Sequence, residues 1–158
     1  YSNLLTIPET IIQNEISVPG IDGRKMSKSY DNIIPFLSNE KMLKKSIARI
    51  ITNSLEPGEP KDYQSCTLFQ LYLFFASNDE IESMKQAYKD GISWGDVKKE
   101  LFKVINNELL PIREKYLELI DDPDLLNDLF AAGASKVRPQ AQQLIEKMRE
   151  VTGITKIV

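Results

Sequence analysis

The chain of 158 residues contains no histidine. That removes imidazole acid–base catalysis, Ser–His triads and His-containing zinc sites together. It has one cysteine, Cys66, so no internal disulfide can form, which fits a reducing cytoplasm. The neighbours Thr67, Leu68 and Phe69 mark Cys66 as a half-buried structural side chain rather than a nucleophile. No apolar run approaches the roughly 20 residues that a membrane span needs. The start has no basic segment ahead of an apolar one, so it does not read as a signal peptide. It also lacks an initiator Met and opens in mid-pattern, as a piece of a longer chain would. A net charge of −3 excludes a generally basic nucleic-acid coat but leaves room for a local cationic patch.

Beyond the first residues, strand periodicity is missing as well. Ile16 and Val18 alternate as in a short strand ending at the Pro19-Gly20 turn. With no later strand to pair with, that segment forms a small local ribbon or pairs with something outside the chain. From Ile33 onward the pattern is helical. Ser38 or Asn39 caps a helix with Met42, Leu43, Ile47, Ile50 and Ile51 inward. Lys41, Lys44, Lys45 and Arg49 lie on its other face, either solvated or set against phosphate. Thr52 to Pro60 reads as an ordered loop. Thr67 to Ala76 predicts a central buried helix opened by a Thr67/Gln70 capping box. Its aromatics read as core rather than as a base-stacking platform.

Ser77 and Glu80 form another capping box, starting a helix that stops near Gly91. Ser93 to Asp96 launches the longest pattern, roughly 37 Å to Ile120 at 1.5 Å per residue. Pro111 predicts a kink in it between Asn107 and Pro111. Asp122 caps the next helix, with Pro123 at its first position. Gly133 is a candidate interruption and Pro139 a candidate second start. The final segment, Gln140 to Val151, has Leu144, Ile145 and Met148 inward and closes near Gly153. The fold class predicted is all-α, a helical bundle preceded by a short irregular or strand-like segment.

What the chain does have, in one place, is cationic polar chemistry. Asp22-Gly23-Arg24-Lys25-Met26-Ser27-Lys28-Ser29-Tyr30-Asp31-Asn32 carries three cations, two serines and a glycine. An ammonium group on a long stem can follow charge that builds on phosphate oxygens during displacement at a nucleotide's α-phosphorus. Lys25 and Lys28 suit that role, Ser27 and Ser29 can donate to the same oxygens, and no general base is needed. A solvated turn and a kinase target at Arg24 to Ser27 are the plain alternatives. No P-loop pattern is present.

Lys25-Met26-Ser27-Lys28-Ser29 is identical to the KMSKS signature of class I aminoacyl-tRNA synthetases. Asp22-Gly23-Arg24 before it and Tyr30 after it resemble the tryptophanyl branch in particular. The resemblance extends to Ile50-Ile51-Thr52-Asn53-Ser54, Leu68-Phe69-Gln70-Leu71-Tyr72, Leu110-Pro111-Ile112-Arg113-Glu114 and Gly133 to Arg138. It covers nearly the whole chain, with only the first motif individually specific. Asp31 departs from it, since many such enzymes have glycine there.

The resemblance implies a full-length enzyme that activates tryptophan with ATP and Mg²⁺ and passes it to tRNA(Trp). It implies that Lys25, Met26, Ser27, Lys28 and Ser29 form the ATP-phosphate site, with Lys25 and Lys28 catalytic and no metal ligand in the chain. Residues 1–37 would be the tail of the catalytic domain, with the loop at 22–32. Residues 38–158 would be the α-helical C-terminal domain that meets the anticodon region. The family also needs a nucleotide-binding fold with a His-Ile-Gly-His-like motif and an amino-acid pocket, which a chain without histidine lacks. The expectation is therefore a cytoplasmic C-terminal fragment, inactive and monomeric alone, from a homodimeric parent, its loop mobile without nucleotide or facing domain. The competing readings are a non-catalytic helical tRNA-binding or protein-interaction module, and a fragment of a tyrosyl-tRNA synthetase.

Overall fold

Helix starts are set by side chains that accept the orphan N–H groups of a first turn. In the computed structural model, which describes residues 4–11 and 17–154, four of the five α-helices begin in this way. Asn39 opens α1 (Glu40–Ala48), its Oδ1 accepting from Met42 N at 2.9 Å. Ser77 opens α3 (Asn78–Lys89) with a complete capping box to Glu80. Ser93 Oγ accepts from Asp96 N at 3.1 Å where α4 (Trp94–Asp121) begins. Asp122 accepts from Leu125 N at 2.9 Å to start α5 (Pro123–Thr152), with Pro123 in its first turn. Gly153 ends α5 in the left-handed conformation at φ 74°.

The remaining helix corrects the expectation. α2 is Thr67–Tyr72, six residues, capped by Cys66 without a side-chain bond, so the Thr67/Gln70 box does not form. The apolar run continues past it as tight turns, with Phe74 N donating to Leu71 O and Phe75 N to Tyr72 O. Ser77 then takes extended backbone, ψ 163°, to cap α3.

The long pattern is one helix, α4, continuous through Pro111. Neither Gly133 nor Pro139 divides α5, which is also continuous. The described residues contain no strand, only an isolated antiparallel bridge between Pro19 and Lys25. Of the expected strand, Ile16 lies outside the described residues. Val18 joins the small ribbon, its carbonyl accepting from Met26 N at 2.8 Å. The fold class is all-α, as the periodicity predicts.

Residues 16–116 form one compact unit and hold the core. Leu43, Ile47, Ile50, Leu68, Leu71, Tyr88, Val97, Leu101 and Ile105 are its fully buried apolar members. Burying each such side chain stabilises the fold by about 1.5–3 kcal/mol. Of the aromatics in the Thr67–Ala76 run, Phe69 and Tyr72 are core, as predicted, with Phe69 packing 5.6 Å from Tyr88 between ring centroids, and Phe75 packs partly buried against them. Phe74 and its neighbour Leu73, expected inward, are exposed, because the run leaves the helix after Tyr72. Met42 and Ile51, expected inward, are exposed. Leu43 and Ile47 are the buried positions of α1, which ends at Ala48, so Ile50 and Ile51 lie beyond the helix, where Ile50 is buried and Ile51 is not.

Residues 1–15 and 117–158 form the second unit, which contains α5. α5 buries no residue. Leu144, Ile145 and Met148, expected inward, keep about two-fifths of their surface. The stripe is apolar as predicted, but among the described residues nothing buries it.

Candidate functional site

The cationic stretch folds as a hairpin-like ribbon followed by a single 3₁₀ turn. Gly20 N donates to Arg24 O at 2.7 Å, and Gly23, at φ 81°, turns the chain and donates to Gly20 O at 3.0 Å. Met26 rests on the core, which ties the middle of the motif to the helical unit. Ser27 then caps the turn Lys28–Tyr30, its Oγ accepting from Ser29 N at 3.2 Å. Asp31 closes the turn at φ 50°, left-handed backbone that glycine adopts freely and that aspartate tolerates better than most residues. That is the physical reason a glycine fits there.

Each end of the loop is anchored. Ile21 N donates to Asn32 O at 3.0 Å, and Ile51 N donates to Ile21 O at 3.0 Å, so the loop is stitched to the chain just beyond α1. Asn32 is buried, and its side chain bonds across the loop interior. Oδ1 accepts from Ser27 N at 2.8 Å, while Nδ2 donates to Asp22 Oδ1 at 2.7 Å and to Lys25 O at 3.2 Å. Asp22 also holds Arg24, whose Nε lies 2.7 Å and Nη2 2.6 Å from Oδ2. The hydrogen bond from Asn32 is the chief reason the Asp22 carboxyl sits below its ordinary pKa, aided by Arg24. The guanidinium of Arg24 in turn lies 4.6 Å over the Tyr30 ring.

The three cations of the loop are therefore not equivalent. Arg24 is held by Asp22 and Tyr30. Lys25 and Lys28 are exposed, and neither has an acidic partner among the described residues. Ser27 is half-buried with its hydroxyl engaged in capping, and Ser29 is exposed. Two exposed ammonium groups on long flexible stems, set on an anchored backbone, suit an external polyanion.

Other candidates carry less. Among the cations of α1, Lys44 stands 5.9 Å over the Phe102 ring and helps line a cavity of about 270 Å³. Lys98 also lines that cavity and donates to Ala48 O at 2.8 Å, with burial lowering its pKa. A second cavity of about 570 Å³ has Glu80 and Glu108 in its wall, the wrong sign for phosphate. Cys66 is half-buried, 3.4 Å from the Tyr88 hydroxyl, and burial raises the pKa of that phenol. Among the described residues no three Cys, Asp or Glu side chains gather to hold a metal.

Sequence reasoning missed two functions of polar side chains here. The Asp22–Asn32 bond spans ten residues and has no periodic signature. Lys61 is buried in the 52–66 connector, donating to the carbonyls of Glu56 at 2.8 Å and Glu59 at 2.9 Å. Those partners are backbone groups, and no residue type announces them.

A model of the family described as tRNA synthetases class I (W and Y) matches residues 2–110, which include the whole loop and α1 to α3. The tryptophan–tRNA ligase of Pseudomonas aeruginosa is 46% identical over 149 residues, 94% of this chain and 33% of its own length. That of Neisseria meningitidis serogroup A is 43% identical over 155 residues, 98% of this chain and 46% of its own. The crystal structure of tryptophanyl-tRNA synthetase from Campylobacter jejuni complexed with ADP and tryptophan superposes with a TM-score of 0.86 at 37% identity. It covers 95% of this chain and 48% of that one. The chain thus spans between about a third and a half of the relatives it matches. A single family model accounts for more than half of these residues, the signature loop among them, and the chain belongs to the class I tRNA synthetases of the W and Y group.

Proposed function

We propose that this chain is the part of a tryptophanyl-tRNA synthetase that supplies the KMSKS loop and the helical C-terminal region. The whole enzyme activates tryptophan with ATP and transfers it to tRNA(Trp). The names of the matched relatives support the amino acid, and the ADP and tryptophan in the Campylobacter jejuni complex support the substrate classes. One observation carries the assignment within the chain: Lys25 and Lys28 stand exposed and, among the described residues, without acidic partners, while Arg24 just before them is held by Asp22.

In this reading Lys25 and Lys28 approach the phosphates of ATP·Mg²⁺, which enters as substrate. The attack of the tryptophan carboxylate on the α-phosphorus places added negative charge on its oxygens and on the departing pyrophosphate. Ammonium groups that meet that charge stabilise the transition state more than the ground state. Ser29 and backbone N–H groups of the loop donate to the same oxygens, and Met26 fixes the segment to the core. Residues 1–37 serve the catalytic half of the enzyme. Residues 38–158 serve tRNA, with the cations of α1 as the first place to look for contact.

The test is ATP–pyrophosphate exchange by the full-length protein that contains this sequence. Tryptophan should support exchange and tyrosine should not. Lys25→Ala and Lys28→Ala should each lower kcat by about 10²–10³-fold, the usual loss of one transition-state charge partner. The chain alone should show no exchange. Full exchange by either lysine variant sinks the phosphate role, and tyrosine-dependent exchange sinks the specificity.

A further inference from the structure

We propose that Asn32, acting with Asp22, is the positioning residue of the loop: it sets the backbone from which Lys25 and Lys28 reach the phosphates. The inference rests on the phosphate-binding reading above and adds the device that orients it.

The side chain of Asn32 is 1% exposed, with both amide donors used and its carbonyl oxygen accepting one bond. Its orientation follows from chemistry. Oδ1 must face Ser27 N, because an amide NH₂ there would set donor against donor. That leaves Nδ2 for two acceptors, Asp22 Oδ1 at 2.7 Å and Lys25 O at 3.2 Å. One carboxamide thus grips the peptide units on both sides of Met26, at Lys25 and at Ser27. Asp22 orients the carboxamide and also binds the Arg24 guanidinium, so it removes the one loop cation that could otherwise compete for phosphate. Gly20 completes the device. A Cβ at that position would lie 2.5 Å from Asn32 Cγ, so the amide is seated directly on the glycine.

A buried polar network with every partner satisfied specifies one geometry, and a vacant partner releases it. Asn32 touches no substrate in this account. It acts through the backbone, and its loss should appear in the use of ATP and not in the binding of tryptophan.

The experiment measures exchange kinetics of the full-length protein for four variants. Asn32→Ala and Asp22→Ala should each lower kcat/KM for ATP by about 10- to 100-fold, the scale of a small misplacement of reacting groups. The KM for tryptophan should stay within about twofold. Asn32→Asp should be at least as damaging as Asn32→Ala, since it sets a second carboxylate against Asp22 and the Lys25 carbonyl. The exchanged pair Asp22→Asn with Asn32→Asp restores an amide–carboxylate bond between the two positions and should recover at least about tenfold over Asn32→Asp alone. In the present chain, Asn32→Ala should speed amide exchange at Ser27 while leaving helical circular dichroism unchanged. If Asn32→Ala fails to fold, Asp22→Ala carries the same kinetic test, because Asp22 lies at the half-exposed edge of the network. The proposal is overturned if both alanine variants keep kcat/KM for ATP within about twofold, or if ATP and tryptophan parameters worsen together. Lys25→Ala and Lys28→Ala separate the two levels. Full activity in those variants removes the phosphate role itself, whereas inactive lysine variants beside fully active Asn32→Ala and Asp22→Ala remove only the positioning role.

Discussion

Two loops of this chain use lysine in opposite ways. In the 18–32 loop, Lys25 and Lys28 project outward and backbone contacts are supplied by an asparagine and an aspartate. In the 52–66 connector, Lys61 turns inward, donates to two carbonyls and lies 5.5 Å from the centre of the Trp94 ring. Lys61 gives the connector the interior that Asn32 gives the other loop. The lesson is that a lysine's function follows from which acceptors reach it, and that a cation satisfied by its own backbone is part of the scaffold.

The comparison can be broken first at Gly91, which closes the connector by accepting from Gly58 N at 2.8 Å. Gly91 has φ +83°, and a Cβ there would overlap the backbone of Gly58. Gly91→Ala should therefore destabilise the chain by about 4 kcal/mol in urea unfolding, left-handed strain and steric overlap acting together. A loss under about 1 kcal/mol would mean that the connector is not a packed element. Next comes Lys61→Ala, which strands two carbonyl acceptors and uncovers Trp94, with about 2–3 kcal/mol lost. The matched control is Lys25→Ala or Lys28→Ala, which should change stability by no more than about 0.5 kcal/mol. If the three lysines proved alike in unfolding, the contrast would fall.

Ser77→Ala, which dismantles the capping box of α3, should cost about 1 kcal/mol, read from the same unfolding curves. Asp31→Gly should gain about 0.5 kcal/mol or slightly more by relieving the φ of 50°, provided that glycine's greater unfolded-state entropy does not cancel it. A thermal midpoint lower than that of the parent chain would show that Asp31 contributes something besides backbone strain. The smallest effect is in pH. The Asp22 carboxyl is held below its ordinary pKa, so its contribution to the loop is complete above the ordinary carboxylate value near 4 and is lost as pH falls through the lowered value. The Ser27 amide signal should be flat from pH 5 to 8 and move only in acid. A titration near neutrality would reassign the bond.

Much of the helical framework was legible because capping has a short-range grammar. Asn39, Ser77, Ser93 and Asp122 sit within three residues of the N–H groups they accept from, so the sequence window contains the whole interaction. The signature loop was legible for a different reason, its five-residue motif. The misses were longer-range. α2 looked longer than it is because apolar continuity at Leu73 to Ala76 does not distinguish a helix from the tight turns that follow Tyr72. Leu144, Ile145 and Met148 repeat at helical spacing as expected, yet periodicity records that a face is apolar without recording what lies against it. Asn32 and Lys61 were invisible as structural residues because their partners are separated in sequence or are backbone atoms.

The seat that Gly20 makes for Asn32 has a practical consequence for engineering. The stretch from Gly20 to Asn32 is a module that cannot be cut at the five signature letters. A chimera that transplants only Lys25 to Ser29 leaves behind the glycine, the aspartate and the asparagine that give those lysines a direction. One that carries the segment whole, with an apolar socket for Met26, moves the loop in its folded geometry into a new scaffold.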